Sequence, residues 1–170
     1  MSEIREARLQ KANTLVSKGF ASYAESFVVS HPTKFLLQKF DYLESGQEED
    51  FSVSIAGRVM AKRVMGKIAF FTISDEEGQI QLYLDKKLIN LNLEKQKLLS
   101  FEDIKEIVDI GDWIGVYGTI KKTNKGELSI KVEKWEMLSK SLQPLPDKWH
   151  GLTDIEKRYR QRYLDLIVNP

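Results

Sequence analysis

Residues 51–84 read FSVSIAGRVMAKRVMGKIAFFTISDEEGQIQLYL, and apolar and polar side chains alternate through much of this stretch. Successive side chains of a β-strand point to opposite faces, so the alternation predicts strands with one buried face. Two short turn sequences divide the stretch, Met65-Gly66-Lys67 and Asp75-Glu76-Glu77-Gly78. Glycine-containing turns between alternating runs are typical of β-hairpins. The stretch therefore predicts three antiparallel strands in succession.

A helix and two more strands are predicted to follow. Ser100 is placed to be the N-cap of the helix, with Asp103 completing a capping box, and Gly111 ends the segment. Alternation returns over 114–120 and 128–132, on either side of the tight turn Asn124-Lys125-Gly126. Three strands, a helix and two strands is the order of a five-stranded OB-fold barrel. A β-sandwich normally has more strands, and a doubly wound fold alternates strands with helices.

Helical patterns precede the barrel. Ile4, Leu15 and Val16 fall near helical spacing in a predicted helix over 3–18, and a second short helix is predicted after Pro32. The predicted fold class is thus mainly β with flanking helices. We divide the chain into an N-terminal helical extension and linker, the barrel, and a linker with a helical segment. Their bounds are 1–50, with the acidic linker at 44–50, then 51–140 and 141–170.

Composition excludes several classes of function. Twenty-six basic and 25 acidic residues give a net charge of +1, which argues against binding nucleic acid by charge alone and leaves a local basic face open. The absence of cysteine excludes disulfides and thiolate metal sites, and two distant histidines argue against zinc. No apolar run approaches the ~20 residues that span a bilayer. We therefore expect a cytoplasmic protein without a membrane partner.

The alternation leaves an aromatic ring, an amide and a carboxylate outside the barrel core, on Phe70, Gln81 and Glu127. OB folds bind oligonucleotides across strands two and three and the nearby loops. A phenyl ring stacks on a base, an amide can donate to and accept from a base edge, and a carboxylate accepts from a base donor. Singly, each is also an ordinary packed or solvated residue. On one region of this fold, together they predict readout of a few bases.

Several segments carry a resemblance to a known family: 56–71, 80–83, 109–112 and 126–130. The most specific is Leu145-Pro146-Asp147-Lys148-Trp149-His150-Gly151-Leu152, which is followed by 156–166. Through these segments the sequence resembles the anticodon-binding domain of class II lysyl-tRNA synthetases. The aspartyl and asparaginyl relatives share the barrel but lack the specific segment. The resemblance covers the chain from about residue 30 onward.

The resemblance implies roles for four side chains. Phe70 would stack on the central anticodon uridine, Gln81 and Arg63 would hydrogen-bond that base, and Glu127 would contact an adjacent anticodon base. Arg63 shares odd numbering with the core side of the first strand. A bulge near Gly57 would reverse that parity. Arg63 is therefore a site residue by resemblance and not by alternation.

The resemblance also implies a parent enzyme that uses ATP and magnesium to attach lysine to tRNA, and that forms a homodimer. Residues 153–169 are similar to the helical lead into the first catalytic motif of that family, while its second and third motifs have no counterpart here. We expect this chain to bind the anticodon loop of a lysine-accepting tRNA, without catalysis and without its own metal or cofactor. Its own oligomeric state stays open. Two alternatives remain: a sequence-tolerant single-strand-binding module and a protein-interaction domain.

Overall fold

Five strands form a closed barrel in the computed structural model, which describes residues 3–20, 26–93 and 98–143. The strands are β1 Glu48–Met65, β2 Ile68–Ser74, β3 Gln79–Asp85, β4 Trp113–Lys122 and β5 Leu128–Ser139. Their order around the barrel is β1-β2-β3-β5-β4, and only the β3–β5 pairing is parallel. The predicted OB-fold plan is confirmed.

Four helices and a 3₁₀ turn accompany the barrel among the described residues. They are α1 Glu3–Ser17, α2 Thr33–Lys39, α3 Lys86–Ile89, a 3₁₀ turn at Asn90–Asn92, and α4 Phe101–Ile107. The predicted capping box of α4 is present, since Ser100 Oγ accepts from the backbone N–H of Asp103 and Asp103 accepts from that of Ser100. The sequence patterns did not predict α3 or the 3₁₀ turn. No helix within the described ranges is long and apolar enough to cross a bilayer.

The inward faces of the strands fill the barrel as the alternation predicts. Phe71 and Ile73 of β2 are fully buried, as are Leu82 and Leu84 of β3. The helix α4 adds buried side chains to the same core, Phe101 and Ile104 among them. The prediction for α1 is wrong in part, because the helix buries Ala12 and Leu15 but leaves Ile4 and Val16 exposed.

The first strand begins inside the predicted linker. Gly46 turns the chain with φ +87, its N–H donates to Lys122 O, and the N–H of Lys122 donates to Gln47 O. These bonds align Glu48 with Lys121 of β4. The acidic residues from Glu48 onward are therefore part of the barrel, and only the first residues of 44–50 form a connection.

A bulge in β1 lies at Met60, not near Gly57 as predicted. Val59 pairs with Ile73, but Ala61 pairs with Thr72, so Met60 is an extra residue. Gly57 has a different role, since a Cβ there would lie 2.9 Å from the carbonyl oxygen of Ser74. The bulge reverses the parity of β1 beyond residue 60.

The reversed parity turns Lys62 toward α4. Its Nζ donates to the carbonyl oxygens of Lys105 and Val108, both at 2.6 Å, and lies 5.8 Å from the centroid of the Phe71 ring. Cations stabilise the C-terminal end of a helix, where carbonyl groups lack helical partners. Burial lowers the pKa of the Lys62 ammonium. Lys62 thus joins β1 to the end of α4.

Buried charges join the end of β5 to the approach of β4. Lys140, whose side chain is 2% exposed, contacts Asp112 at 2.5 Å and Asp109 at 2.6 Å. Asp112 is fully buried and also accepts from the backbone N–H groups of Asp109 and Ser141. Lys11 of α1 contacts Asp109 at 2.7 Å. Burial raises the pKa of the Asp112 carboxyl despite the attraction of Lys140. We call Lys11, Asp109, Asp112 and Lys140 the buried charge cluster.

Candidate nucleic-acid interface

A groove of about 450 Å³ lies on the outer face of β2 and β3. All four predicted site residues line it: Arg63, Phe70, Gln81 and Glu127. The other lining residues are Met65, Tyr83, Lys121, Thr123, Asn124 and Lys125. The turns after β1 and β4 contribute its two sides. This arrangement brings the predicted residues together, while their individual roles stay predictions.

The Met60 bulge places Arg63 in the groove. Beyond the bulge Arg63 pairs with Phe70, and residues paired across two strands share a face of the sheet. The guanidinium carbon of Arg63 lies 4.9 Å from the centroid of the Phe70 ring. The prediction from alternation that Arg63 faces the core is therefore wrong, and the position implied by the resemblance agrees with the structure.

Two aromatic rings form the floor of the groove. The half-buried Phe70 ring meets Tyr83 edge to face, with centroids 5.8 Å apart and an angle of 66°. The Arg63 guanidinium covers a face of Phe70. Bases stack on aromatic rings and on guanidinium planes alike. An incoming base can therefore stack on the guanidinium or replace it on Phe70, which would release the N–H groups of Arg63 for base edges.

Gln81 is held from behind by Ser129. The Nε2 group of Gln81 donates to Ser129 Oγ at 2.9 Å, and the two residues pair across the parallel β3–β5 junction. Ser129 Oγ in turn lies 3.2 Å from the carbonyl oxygen of Glu127. Ser129 lies outside the barrel core, as alternation predicts, yet is fully buried because β3 covers it. The sequence reading did not include Ser129 among the site residues, since the β3–β5 register was unknown.

The turn between β4 and β5 supplies charge at the groove. Glu127 is exposed, and its backbone N–H donates to Thr123 Oγ1 at 3.1 Å. Lys121 and Lys125 line the same groove. The sequence reading placed a turn here but did not assign these lysines to the site. Their signal was the position of the turn, because loops beside strands two and three assist binding in OB folds.

Glu48 reduces the positive charge beside the groove. Its carboxylate contacts Lys131 at 2.6 Å and Lys121 at 3.3 Å. The hydrogen bond from Lys131 is the main reason that the pKa of Glu48 is lowered. The Lys121 ammonium also lies 5.1 Å from the centroid of the Tyr83 ring. Two lysines near the groove are therefore held by one carboxylate.

The described residues do not offer a metal site. Across 3–20, 26–93 and 98–143, no three side chains of His, Cys, Asp or Glu come together in a way that could hold an ion. The groove itself has a single carboxylate, on Glu127. The chemistry available here is stacking and hydrogen bonding to a ligand.

Comparisons with known proteins agree with this geometry. A family model described as an OB-fold nucleic acid binding domain matches residues 53–138. A lysine–tRNA ligase of Prochlorococcus marinus (strain MIT 9312) is 94% identical over all 170 residues, and one of strain MIT 9515 is 78% identical. In each case the match covers 33% of the relative. A lysine–tRNA ligase of Synechococcus sp. (strain RCC307) is 57% identical over the whole chain and 32% of its own length. The chain thus spans about a third of the length of these curated relatives.

Proposed function

Because this chain belongs to the family of OB-fold nucleic acid binding domains, we propose that its groove reads the anticodon loop of a lysine-accepting tRNA. The observation that carries the proposal is the meeting of Arg63, Phe70, Gln81 and Glu127 in one groove on β2 and β3. The printed names of the relatives support the choice of lysine. The segment 145–152, on which the lysine resemblance depends most, lies outside the described residues.

Each side chain has a role that its chemistry suits. Phe70 stacks on the central uridine of the anticodon, and Gln81 and Arg63 hydrogen-bond the edge of that base. Glu127 accepts from a donor on an adjacent base, since a carboxylate repels phosphate. The net charge of +1 and the neutralising position of Glu48 favour reading bases over holding a long phosphate backbone.

We further propose that the longer protein is a class II lysine–tRNA ligase that acts in translation in the cytoplasm as a homodimer. ATP and magnesium would supply the activation of lysine in that enzyme. The described residues of this chain do not fit either group, because they lack a cluster of carboxylates. The chain itself is therefore proposed to bind RNA without catalysing aminoacylation. The predicted lead into the first catalytic motif, 153–169, lies outside the described residues.

Replacing Phe70 by alanine should weaken binding of a lysine-tRNA anticodon stem-loop by ~1–3 kcal/mol, because base stacking on an aromatic ring contributes that much. Fluorescence anisotropy at fixed salt measures the change for the stem-loop and for one with the central uridine replaced. Phe35→Ala is a matched control, since this exposed phenylalanine on α2 does not line the groove.

Two results would contradict the proposal. One is equal affinity of the unaltered chain for the two stem-loops. The other is an affinity of the Phe70→Ala variant equal to that of Phe35→Ala. Equal affinity combined with a steep salt dependence would instead support the sequence-tolerant single-strand-binding alternative.

Replacing Glu48 by glutamine should release Lys121 and Lys131 for phosphate contacts. We expect tighter RNA binding at low salt and a steeper plot of log affinity against log salt, by roughly 0.7 for each phosphate newly contacted on a single strand. A salt titration of the anticodon stem-loop measures this slope. Glu76→Gln, an exposed charge on the β2–β3 turn, removes the same charge away from the groove. Identical slopes for the two variants would show that Glu48 does not restrain the lysines.

A further inference from the structure

A short chain of hydrogen bonds lies behind the groove. Gln81 Nε2 is 2.9 Å from Ser129 Oγ, and Ser129 Oγ is 3.2 Å from the carbonyl oxygen of Glu127. Ser129 is fully buried, whereas Gln81 is half-buried and lines the groove. The chain therefore runs from the backbone, through a buried hydroxyl, to a side chain that can contact a ligand.

The backbone carbonyl sets the direction of this chain. A carbonyl oxygen only accepts, and a serine hydroxyl has a single hydrogen to donate. Once Ser129 donates to Glu127, its oxygen can only accept from Gln81. The group of Gln81 that faces Ser129 must then be the NH₂ group, whichever way an amide would otherwise be assigned. The network itself thus distinguishes the two orientations of the amide.

We propose that Ser129 is a positioning residue that holds the Gln81 amide in the orientation that selects uracil over cytosine. This inference rests on the proposed function. With one N–H of Gln81 bound to Ser129, Oε1 and the second N–H remain for a base. Uracil offers an N3–H donor beside a carbonyl acceptor, which matches that pair. Cytosine offers an acceptor at N3 beside an amino donor, which opposes it.

Reversal of the amide would reverse this preference. The reversed Gln81 would present its N–H to cytosine N3 and its oxygen to the cytosine amino group. It would also place Oε1 against Ser129 Oγ, whose hydrogen is already donated to Glu127. Two buried acceptors in contact without a hydrogen are unfavourable. Removing the Ser129 hydroxyl removes that obstacle, so the amide can adopt either orientation.

The test is a ratio of affinities rather than an affinity. The full 170-residue chain is titrated with anticodon stem-loops carrying uridine or cytidine at the central position. We expect the unaltered chain to prefer uridine by about 10- to 100-fold, as for a well-matched pair of hydrogen bonds. In Ser129→Ala the ratio should fall at least about fivefold, mostly because cytidine binds better. Ser139→Ala, at the far end of β5, should keep the full ratio.

The outcomes separate the two proposals. A uridine preference in the unaltered chain that persists undiminished in Ser129→Ala overturns the role of Ser129 and leaves the proposed function intact. No preference in the unaltered chain overturns the proposed function, and this inference with it. A ratio that falls in Ser129→Ala but not in Ser139→Ala supports both.

A second measurement uses the unaltered chain and does not depend on the folding of a variant. In 3-deazauridine a C–H group replaces N3–H with little change in shape. If Gln81 Oε1 accepts from N3–H, a stem-loop with 3-deazauridine at the central position should bind no better than the cytidine stem-loop. Binding equal to that of uridine would overturn the inference.

Discussion

Replacing Lys140 by alanine is expected to lower the free energy of unfolding by ~3–5 kcal/mol, because removing one partner of a buried ion pair leaves an uncompensated charge. The Lys140 side chain is 2% exposed and contacts two carboxylates, of Asp112 and Asp109. Asp112 has no access to water that could replace the ammonium. Urea unfolding at neutral pH, followed by circular dichroism, measures the loss.

The surface pair Lys18–Asp103 is a matched control. Its nitrogen and oxygen are 2.7 Å apart, but Lys18 is 46% exposed. Removing an exposed partner typically changes stability by less than ~1 kcal/mol, so Lys18→Ala should be close to neutral. Similar losses for the two variants would show that burial does not determine the importance of the Lys140 contacts.

The Lys140→Ala deficit should shrink in acid. Burial already raises the pKa of Asp112, and loss of the ammonium removes an interaction that lowers it. A carboxyl with a raised folded-state pKa binds its proton more tightly when folded, so its ionisation destabilises the fold as pH rises. The deficit is therefore largest above the folded-state pKa and decreases as Asp112 becomes protonated. Unfolding curves at pH 7 and about pH 4.5 test this, since the unfolded-state pKa is ~3.9.

Replacing Gly118 by alanine is expected to cost ~3 kcal/mol or more in the free energy of unfolding, because the new methyl group meets backbone. A Cβ at this position would lie 2.1 Å from the carbonyl oxygen of Lys131 and 3.1 Å from the Cα of Val132. The β4–β5 register shifts beside Gly118, where Glu133 is the extra residue. Both strands belong to the closed barrel, so neither can move away without loss of pairing.

Gly115 on the same strand gives a comparison of methyl with side chain. A Cβ there would lie 2.4 Å from the ring of Phe27, which is not part of a barrel strand. A side chain moves more easily than paired backbone, so Gly115→Ala should cost less than Gly118→Ala. Thermal unfolding of both variants checks the order. The reverse order would mean that the β4–β5 contact can relax.

Local patterns were enough to predict the barrel. The alternation that buries Phe71 and Leu82 depends only on the two-residue repeat of a strand, and the capping box of α4 depends on residues three apart. Their order then limited the fold to few possibilities. The β1 bulge could not be predicted in the same way, because Met60 carries no local signal. Its position depends on how β1 pairs with β2 on one side and β4 on the other.

The site was predictable to the same extent. Parity alone placed Phe70, Gln81 and Glu127 outside the core, and all three line the groove. Arg63 needed the resemblance, because its parity depends on the bulge. Ser129 and Lys121 join the site through pairings between distant parts of the chain. The burial of Lys140 was unpredictable for that reason too, since Asp112 lies 28 positions earlier.

The extra residue at Met60 gives β1 two registers in one strand. Before it, odd-numbered side chains such as Val59 enter the core, and after it Arg63 faces the ligand while Lys62 caps α4. Deleting one residue between the two registers would exchange Arg63 and Lys62 without altering either. Evolution can therefore substitute side chains freely along this strand but cannot change its length there. Anyone who transplants the groove to another barrel must transplant the bulge with it.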